Sequence, residues 1–244
     1  MSIATLSIQL YSLRRETAND APGTLLSVPG LGYDGVETAG DYGWTLDEWK
    51  SILNETGLKV VGAHVGLDLL EKDFAATVEF QRQLGNMRII VPYVQHELKR
   101  AVFENYASRF NTMARLLANE GMTFLYHNHA FEFSALLDDG RGIDVLLENT
   151  DPSLVKFEFD TYWLERGGED AVAFLQKHES RVGMIHAKEL KKSDQSDVAA
   201  GLGDVDFQTI IPMARANDWE VVVEFEGEDA PRVMKESAAY LRKI

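Results

Sequence analysis

Residues 124–133, FLYHNHAFEF, combine side chains that can transfer protons and bind metal ions. Two of the six histidines, His127 and His129, lie two residues apart here, with Asn128 between them and Glu132 just beyond. Residues two apart in a strand point to the same face, so a strand would place both imidazoles on one face. A folded domain has no structural need for this much imidazole, amide and carboxylate at one strand end. We therefore interpret the stretch as part of a site for a metal ion and a polyol.

Pairs of polar residues also end three later apolar segments. One apolar residue separates the members of each pair, so strand alternation directs both polar side chains inward. The pairs are Glu158 and Asp160, His186 and Lys188, and Glu224 and Glu226, and earlier segments end in Gln9, Glu37 and His64. So many polar groups at one end of a protein are costly to bury unless something binds there.

The side chains at four successive strand ends form a ligand set of carboxylates with one imidazole. Such a set suits Mn²⁺, Mg²⁺, Co²⁺ or Zn²⁺. A divalent metal polarises a carbonyl and stabilises an enediolate, while two carboxylates on opposite sides of a sugar remove and return a proton. The residues therefore indicate proton transfer next to a carbonyl.

Short apolar segments alternate with helical patterns along the chain, which predicts a parallel sheet. The predicted strands are residues 6–12, 33–39, 59–65, 88–94, 123–129, 156–160, 183–188 and 220–226. The predicted helices are residues 17–31, 45–54, 73–84, 101–120, 143–149, 169–177, 206–216 and 231–244. Pro22 and Pro29 are predicted to start and end the first helix, Thr45 and Glu48 to form a capping box, and residues 191–204 to form a polar loop.

Eight strand–helix units without a linker predict an α/β protein with a single (β/α)8 TIM-barrel domain over residues 1–244. The alternative is a doubly wound open sheet. Such a sheet usually carries a glycine-rich turn after its first strand, and QLYSLRRE has no glycine there.

Composition excludes several classes of protein. The formal net charge is −15, from 24 Lys and Arg against 39 Asp and Glu, which argues against a nucleic-acid partner because phosphate binding needs clustered cations. No apolar run approaches the roughly 20 residues of a membrane span, and the first residues lack the basic start of a signal peptide. Cysteine is absent, which fits a cytoplasmic protein. His96 and His178 are interpreted as surface residues.

The ordered set of segments resembles the xylose isomerase-like TIM barrel superfamily, in particular its sugar phosphate isomerase/epimerase branch. That branch includes inosose dehydratases, hydroxypyruvate isomerases and ketose 3-epimerases. The resemblance covers nearly the whole chain and is carried by SIQLYSLR, GYDGVE, the strand with His64, YHNHAFEF, FEFDTYW, HAKE and VVVEFE. No single motif decides it, but the ordered set is fairly specific.

The resemblance implies one divalent metal, manganese first, with magnesium, cobalt or zinc as alternatives. Its implied ligands are Glu132, Asp160, His186 and Glu224. Glu132 and Glu224 are also the implied acid–base pair. Many members carry the first glutamate inside the fifth strand in an E-x-x-N pattern, whereas here Glu132 lies just beyond FLYHNH.

A second departure is that the familiar HxKD sequence reads HAKE here, with Glu189 in place of the aspartate. We expect Glu189 to point outward or to support Lys188, with little effect on the metal. Lys188 and His129 are predicted to act in catalysis. The predicted substrate contacts are Gln9, His64, His127, Asn128 and Trp163.

Alternative roles stay open for several residues. Asp160 is also placed to cap a helix before TYW. Glu132 is alternatively a solvated loop carboxylate, and His64 is alternatively a structural residue. Glu37 and Glu158 belong either to the site or to buried ion pairs.

The expected activity is divalent-metal-dependent isomerisation or epimerisation of a sugar or polyol through a metal-stabilised enediolate. A lyase or dehydratase acting on a keto-sugar or inosose would use the same site. A non-catalytic sugar-binding barrel is the alternative of another class, and metal-dependent phosphodiester hydrolysis is disfavoured by the charge. The expected partners are a small sugar or polyol and, by resemblance, further copies in a homodimer or homotetramer.

Overall fold

The computed structural model describes residues 5–94 and 97–244, so the predicted surface position of His96 lies outside the described residues. The strands in these ranges are β1 (Ser7–Gln9), β2 (Gly35–Ala39), β3 (Lys59–His64), β4 (Arg88–Val91), β5 (Thr123–His127), β6 (Val155–Asp160), β7 (Val182–Ala187), β8 (Glu189–Lys191), β9 (Ser196–Val198) and β10 (Glu220–Val223). Eight of these strands are parallel and close into a barrel in the order β1-β10-β7-β6-β5-β4-β3-β2, with β2 paired to β1. The predicted (β/α)8 TIM barrel is confirmed.

The helices of the described ranges surround this barrel. They are α1 (Arg14–Leu31), α2 (Leu46–Thr56), α3 (Leu67–Lys72), α4 (Phe74–Gln83), α5 (Arg100–Asn119), α6 (Gly142–Asn149), α7 (Thr161–Arg166), α8 (Ala171–Lys177), α9 (Phe207–Ala216) and α10 (Ala230–Leu241). In these ranges, none is both long and apolar enough to cross a membrane.

Local sequence signals explain some of the element boundaries. The capping box at the start of α2 is confirmed, because Thr45 and Glu48 each accept the other's backbone N–H. The predicted start at Pro22 corresponds to a break in α1 at Asp20, after which the helix begins again. The carboxylate of Asp20 accepts the N–H of Gly23 there. Pro29 does not stop the helix, since α1 continues past it to Leu31, the residue predicted as its end.

The first strand is shorter than predicted. Its last residue, Gln9, accepts the N–H of Tyr11 through its side chain at 3.0 Å, and residues Leu10–Leu13 form a 3-10 turn. The strand therefore ends at Gln9, because its side chain bonds the backbone N–H of Tyr11 and the chain turns there.

Two short helices and a hairpin of the described residues were not predicted. Helix α3 precedes α4, and α7 follows β6 directly; both have only six residues, which is too short for a clear apolar period. The antiparallel hairpin consists of β8, which ends where the predicted polar loop begins, and β9, which lies inside that loop, and Leu190 pairs with Asp197.

Two apolar layers hold the barrel. The larger lies between the strands and the helices. The smaller fills the barrel interior with one side chain from each of five strands, namely Val61, Ile90, Leu125, Met184 and Val222. This interior plug contains only aliphatic side chains and methionine, and polar side chains replace them nearer the carboxyl ends of the strands.

Candidate active site

The carboxyl ends of the strands surround a cavity of about 350 Å³. Three imidazoles, two carboxylates and two phenol rings contribute to its walls: His64, His127, His129, Glu224, Glu226, Tyr11 and Tyr93. A larger open depression of about 760 Å³ lies at the opposite end of the barrel, near Arg88 and Glu220, and no histidine is among the described residues that line it. The imidazoles and carboxylates therefore lie at the end of the barrel where TIM-barrel enzymes carry their active sites.

Asp160, the last residue of β6, uses its two carboxylate oxygens differently. Oδ1 accepts the backbone N–H of Trp163 at 2.8 Å and so caps α7. Oδ2 is buried without a hydrogen-bond partner and lies 3.7 Å from His186 Nδ1. Burial raises the pKa of Asp160 to about 8, although the nearby Lys188 charge lowers it. Asp160 thus caps a helix and still offers one free oxygen to a ligand.

His186 lies between carboxylates on both of its ring nitrogens. Its Nδ1 is 3.3 Å from Glu224 Oε2, and its Nε2 is 2.7 Å from Glu37 Oε2. Burial alone lowers the pKa of His186, but the carboxylates of Glu158 and Glu37 outweigh it and raise the pKa well above the usual value. Both nitrogens of the imidazole therefore contact buried carboxylates.

Two overlapping groups of ligand atoms lie close enough to hold a metal ion. In each group the atoms lie within 4.8 Å of one another, and within the described ranges the groups are His127, Asp160, His186 and Glu224, and His64, His127, Glu158 and His186. The first group includes the unpartnered Oδ2 of Asp160. Two carboxylates and two imidazoles at this spacing are a donor set that fits a divalent cation.

Glu132, the fourth predicted metal ligand, belongs to neither group. Its carboxylate accepts the hydroxyl of Tyr126 at 2.6 Å and the backbone N–H of His129 at 2.9 Å. Burial raises its pKa to about 8, despite these hydrogen bonds. The position that sequence reasoning gave to Glu132 is taken in the group by His127, so the assignment of Glu132 as a ligand stays a prediction.

Lys188 is buried beside the predicted ligands. Its Nζ lies 3.4 Å from Glu224 Oε2, pairs closely with Glu226, and sits 4.9 Å from the ring centre of Trp163. Burial opposes the charge, but Glu224 and the neighbouring carboxylates raise the pKa of Lys188. Lys188 is therefore an ammonium group fixed at the edge of the site.

His129 and Trp163 lie next to each other, with ring centres 5.4 Å apart. The buried Nδ1 of His129 and Nε1 of Trp163 have no hydrogen-bond partner. Burial lowers the pKa of His129 to about 3, with a further decrease from His127, so the ring is neutral. His129 lines the cavity and Trp163 lies behind it, outside the lining, so the predicted roles of both stay predictions.

The remaining predicted substrate contacts divide into two kinds. His64 and His127 line the cavity. Gln9 and Asn128 are buried outside its lining: Gln9 donates to Glu37 at 2.6 Å, and Asn128 accepts the N–H of Asp160 at 3.1 Å. The structure thus brings the first two to the cavity and uses the other two to join neighbouring strands.

Tyr11, Tyr93 and Asp197 lie around the site and were not among the predicted site residues. Tyr11 and Tyr93 line the cavity from segments that follow β1 and β4. Asp197, in β9, accepts the N–H of Glu226 at 2.9 Å and so ties the hairpin to the strand end. Both tyrosines lie near the ends of predicted strands, residues 6–12 and 88–94, which was a usable signal. The contact of Asp197 depends on how the hairpin packs against the end of β10, which local sequence does not give.

Comparison with known proteins gives the family. Residues 28–244 match the model of the xylose isomerase-like TIM barrel family, and the chain belongs to this family. An inosose dehydratase from Clostridium beijerinckii is 25% identical over 241 residues, covering 83% of this chain and 80% of that protein. The crystal structure of a sugar phosphate isomerase/epimerase from Parabacteroides distasonis has a TM-score of 0.87 and 25% identity over 99% of both chains.

A more distant structure shares the fold alone. The probable 3-DHS dehydratase from Bacillus anthracis has a TM-score of 0.77 at 16% identity, covering 97% of this chain and 98% of that one. The relatives described above show that the family contains sugar isomerases, epimerases and dehydratases. The protein is an enzyme of this group. The predictions of family and of enzymatic activity are confirmed.

Proposed function

We propose that this enzyme uses one divalent metal ion and transfers a proton next to the carbonyl of a sugar or polyol, and so isomerises or epimerises it. The observation that carries the proposal is the buried group His127, Asp160, His186 and Glu224, in which Asp160 Oδ2 has no hydrogen-bond partner. Carboxylates and imidazoles packed this closely are costly to bury without a compensating cation.

Manganese is the proposed metal, with cobalt and zinc as the next choices. Imidazoles favour these ions, while the carboxylates suit harder cations, and magnesium prefers a nearly all-oxygen set. When bound, the ion supplies positive charge that polarises the substrate carbonyl.

The chain's own side chains divide the remaining work. Burial tends to raise the pKa of Glu224, but Lys188 and His186 lower it well below the usual value, so its carboxylate is ionised. The resemblance makes Glu224 the proposed proton acceptor. The ammonium of Lys188 is placed to hold a substrate oxygen on which negative charge develops. His129 and Trp163 would hydrogen-bond substrate hydroxyls through their unpartnered nitrogens.

A dehydratase is the second candidate. It is supported by the curated relatives at 24–25% identity that are named inosose dehydratase. Removal of the proton next to the carbonyl is common to both reactions. In a dehydratase the hydroxyl on the next carbon then leaves as water.

The proposal extends to a cytoplasmic location, one domain over residues 1–244, and a homodimer or homotetramer. The cysteine-free composition fits the location. The oligomeric state rests on the resemblance to the family alone, and light scattering of the purified protein measures it directly.

Metal analysis tests the site. Wild-type protein loaded with Mn²⁺ should hold about one ion per chain, and Asp160→Asn or His186→Ala should weaken binding more than about 100-fold. Asparagine still caps α7, so Asp160→Asn isolates the free oxygen. Asp170→Asn is the matched control, because Asp170 caps α8 through Ala173 N–H away from the site. Unchanged Mn²⁺ binding in both site variants would place the metal elsewhere.

Two further variants compare the candidate fourth ligands. His127→Gln should weaken Mn²⁺ binding more than about 100-fold, whereas Glu132→Gln should change it by less than about 10-fold, since Glu132 is occupied by Tyr126 and His129. The reverse order of effects would restore Glu132 as the ligand.

Reaction in D₂O tests the chemistry. Ketoses and inososes incubated with the Mn²⁺-loaded enzyme should acquire deuterium at the carbon next to the carbonyl. Exchange with retention of all hydroxyls identifies an isomerase or epimerase, and loss of water identifies a dehydratase. Absence of both reactions across the panel would favour the binding-only alternative.

A further inference from the structure

Two glutamates, Glu37 and Glu158, form a carboxylate layer that contacts the histidines of the proposed metal group. Glu158 Oε2 is 3.1 Å from His127 Nδ1, and Glu37 Oε2 is 2.7 Å from His186 Nε2. Both glutamates are fully buried. Glu158 Oε2 also lies 3.1 Å from His186 Nε2, so the two acids share one imidazole.

These contacts decide which ring nitrogen of each histidine keeps its proton when a cation is bound. A carboxylate accepts only from a nitrogen that carries a proton, so His127 carries its proton on Nδ1 and leaves Nε2 free. Both nitrogens of His186 face carboxylates, so the metal-free ring is doubly protonated. A cation held by Asp160 and Glu224 would replace the proton on His186 Nδ1, while Glu37 and Glu158 keep the proton on Nε2.

We propose that Glu37 and Glu158 are positioning residues that fix the tautomer and ring orientation of His186 and His127, so that both present one lone pair to the metal. This inference rests on the proposed metal site and goes beyond it, because it assigns a role to two acids that neither touch the substrate nor bind the ion. Carboxylates placed behind metal-binding histidines typically change metal affinity by about 10–100-fold when removed.

Gly62 and Gln9 keep Glu37 in place. Gln9 Nε2 donates to Glu37 Oε2 at 2.6 Å. A β-carbon at Gly62 would lie 2.6 Å from Glu37 Oε1 and 2.8 Å from Ile90 Cδ1. The missing side chain at Gly62 thus makes the space that the carboxylate occupies above the interior plug.

His64 ties the two acids together. Its Nε2 lies 3.0 Å from Glu158 Oε2 and 3.2 Å from Glu37 Oε2. The ring also stacks on His186 with centres 5.5 Å apart and planes inclined by 16°. A shared proton donor between two buried carboxylates lowers their mutual repulsion, which lets both acids stay close to the imidazoles.

The competing explanation is a second cation. His64, His127, Glu158 and His186 also offer atoms within 4.8 Å of one another. A cation there would need the same nitrogens, His127 Nδ1 and His186 Nε2, that the carboxylate layer holds protonated. The two explanations therefore predict opposite nitrogens for metal binding and different numbers of ions per chain.

Zinc titration in competition with a coloured chelator tests the inference. Glu37→Gln and Glu158→Gln should each weaken Zn²⁺ binding about 10–100-fold, with Glu220→Gln within about twofold of wild type. Glu220 is the matched control because it is a mostly buried carboxylate at the other end of the barrel, bonded to Ser7. Gly62→Ala removes no polar group and should also weaken binding by displacing Glu37.

Nitrogen-15 NMR of zinc-loaded wild-type protein needs no variant. The expected spectrum has protons on His127 Nδ1 and His186 Nε2, with zinc on the other nitrogen of each ring. Zinc on His127 Nδ1 or His186 Nε2, two zinc ions per chain, or glutamine variants that bind like Glu220→Gln would overturn the inference. Failure of wild-type protein to bind zinc or manganese at all would instead overturn the proposed function.

Discussion

The two oxygens of the Asp160 carboxylate have different roles. One oxygen caps α7, and the other lies near His186 without a hydrogen-bond partner. Sequence reasoning had to treat helix cap and metal ligand as alternatives. A carboxylate has two oxygens with separate lone pairs, so the folded chain uses both.

Glu132 should make stability depend on pH in the metal-free protein. Its pKa rises from 4.5 to about 8 on folding because the side chain is buried. Between these values the folded state binds the proton and the unfolded state does not, so stability falls as pH rises from about 4.5 to about 8, by up to about 1.4 kcal/mol per pH unit. Urea unfolding at a series of pH values should show a flatter decline for Glu132→Gln.

The same experiment repeated with Mn²⁺ separates two roles for Glu132. A carboxylate that binds the ion is ionised by it, which would remove the Glu132 contribution. A carboxylate that only joins Tyr126 to the His129 backbone should keep its contribution. Equal slopes for wild type and Glu132→Gln without metal would contradict the raised pKa.

At the scale of elements, the hairpin of β8 and β9 depends on Glu189. This side chain is buried and accepts the N–H groups of Leu190, Gly201 and Val205 at 2.9–3.0 Å. These contacts lie in the loop and not at the predicted metal ligands, which is compatible with the expected outward orientation, and Glu189 is buried because the chain turns after β7 and wraps the following segment around the carboxylate. Glu189 therefore organises a loop rather than the metal site.

Glu189→Ala should loosen this loop and leave the metal site intact. Loss of the acceptor leaves buried amides unpaired, at a cost of about 1–3 kcal/mol. Hydrogen exchange should quicken at Leu190, Gly201 and Val205, while Mn²⁺ affinity stays close to that of wild type. A large loss of affinity without faster exchange would show that Glu189 acts on the site instead.

At the scale of the molecule, the interior plug supports the whole barrel. Leu125 is fully buried within it, and its Cδ2 would lie 2.8 Å from a β-carbon at Gly183. Leu125→Ala should lower the free energy of unfolding by about 2–5 kcal/mol, because truncation leaves a cavity in a closed barrel. Urea denaturation measures this change.

The matched control for that truncation is Leu137→Ala, at a leucine that is 80% exposed. Its effect should stay within about 0.5 kcal/mol. A comparable loss at both positions would mean that the barrel interior is not a tightly packed plug.

The sequence by itself determined the barrel and the strand ends that carry its chemistry. Strand and helix patterns are local, since alternation and capping act within a few residues, and the order of eight units leaves little choice of topology. Asp160, His186 and Glu224 could therefore be assigned to one group from the amino-acid sequence, and their ligand atoms do lie together.

Only the tertiary structure decided which groups meet across the barrel. His127 rather than Glu132 joins the group, because the chain leaves β5 in a 3-10 turn that directs Glu132 toward Tyr126. The contact of Glu37 with His186 joins residues 149 positions apart. Strand alternation fixes the face on which a side chain lies, whereas barrel closure and register fix the partner it meets.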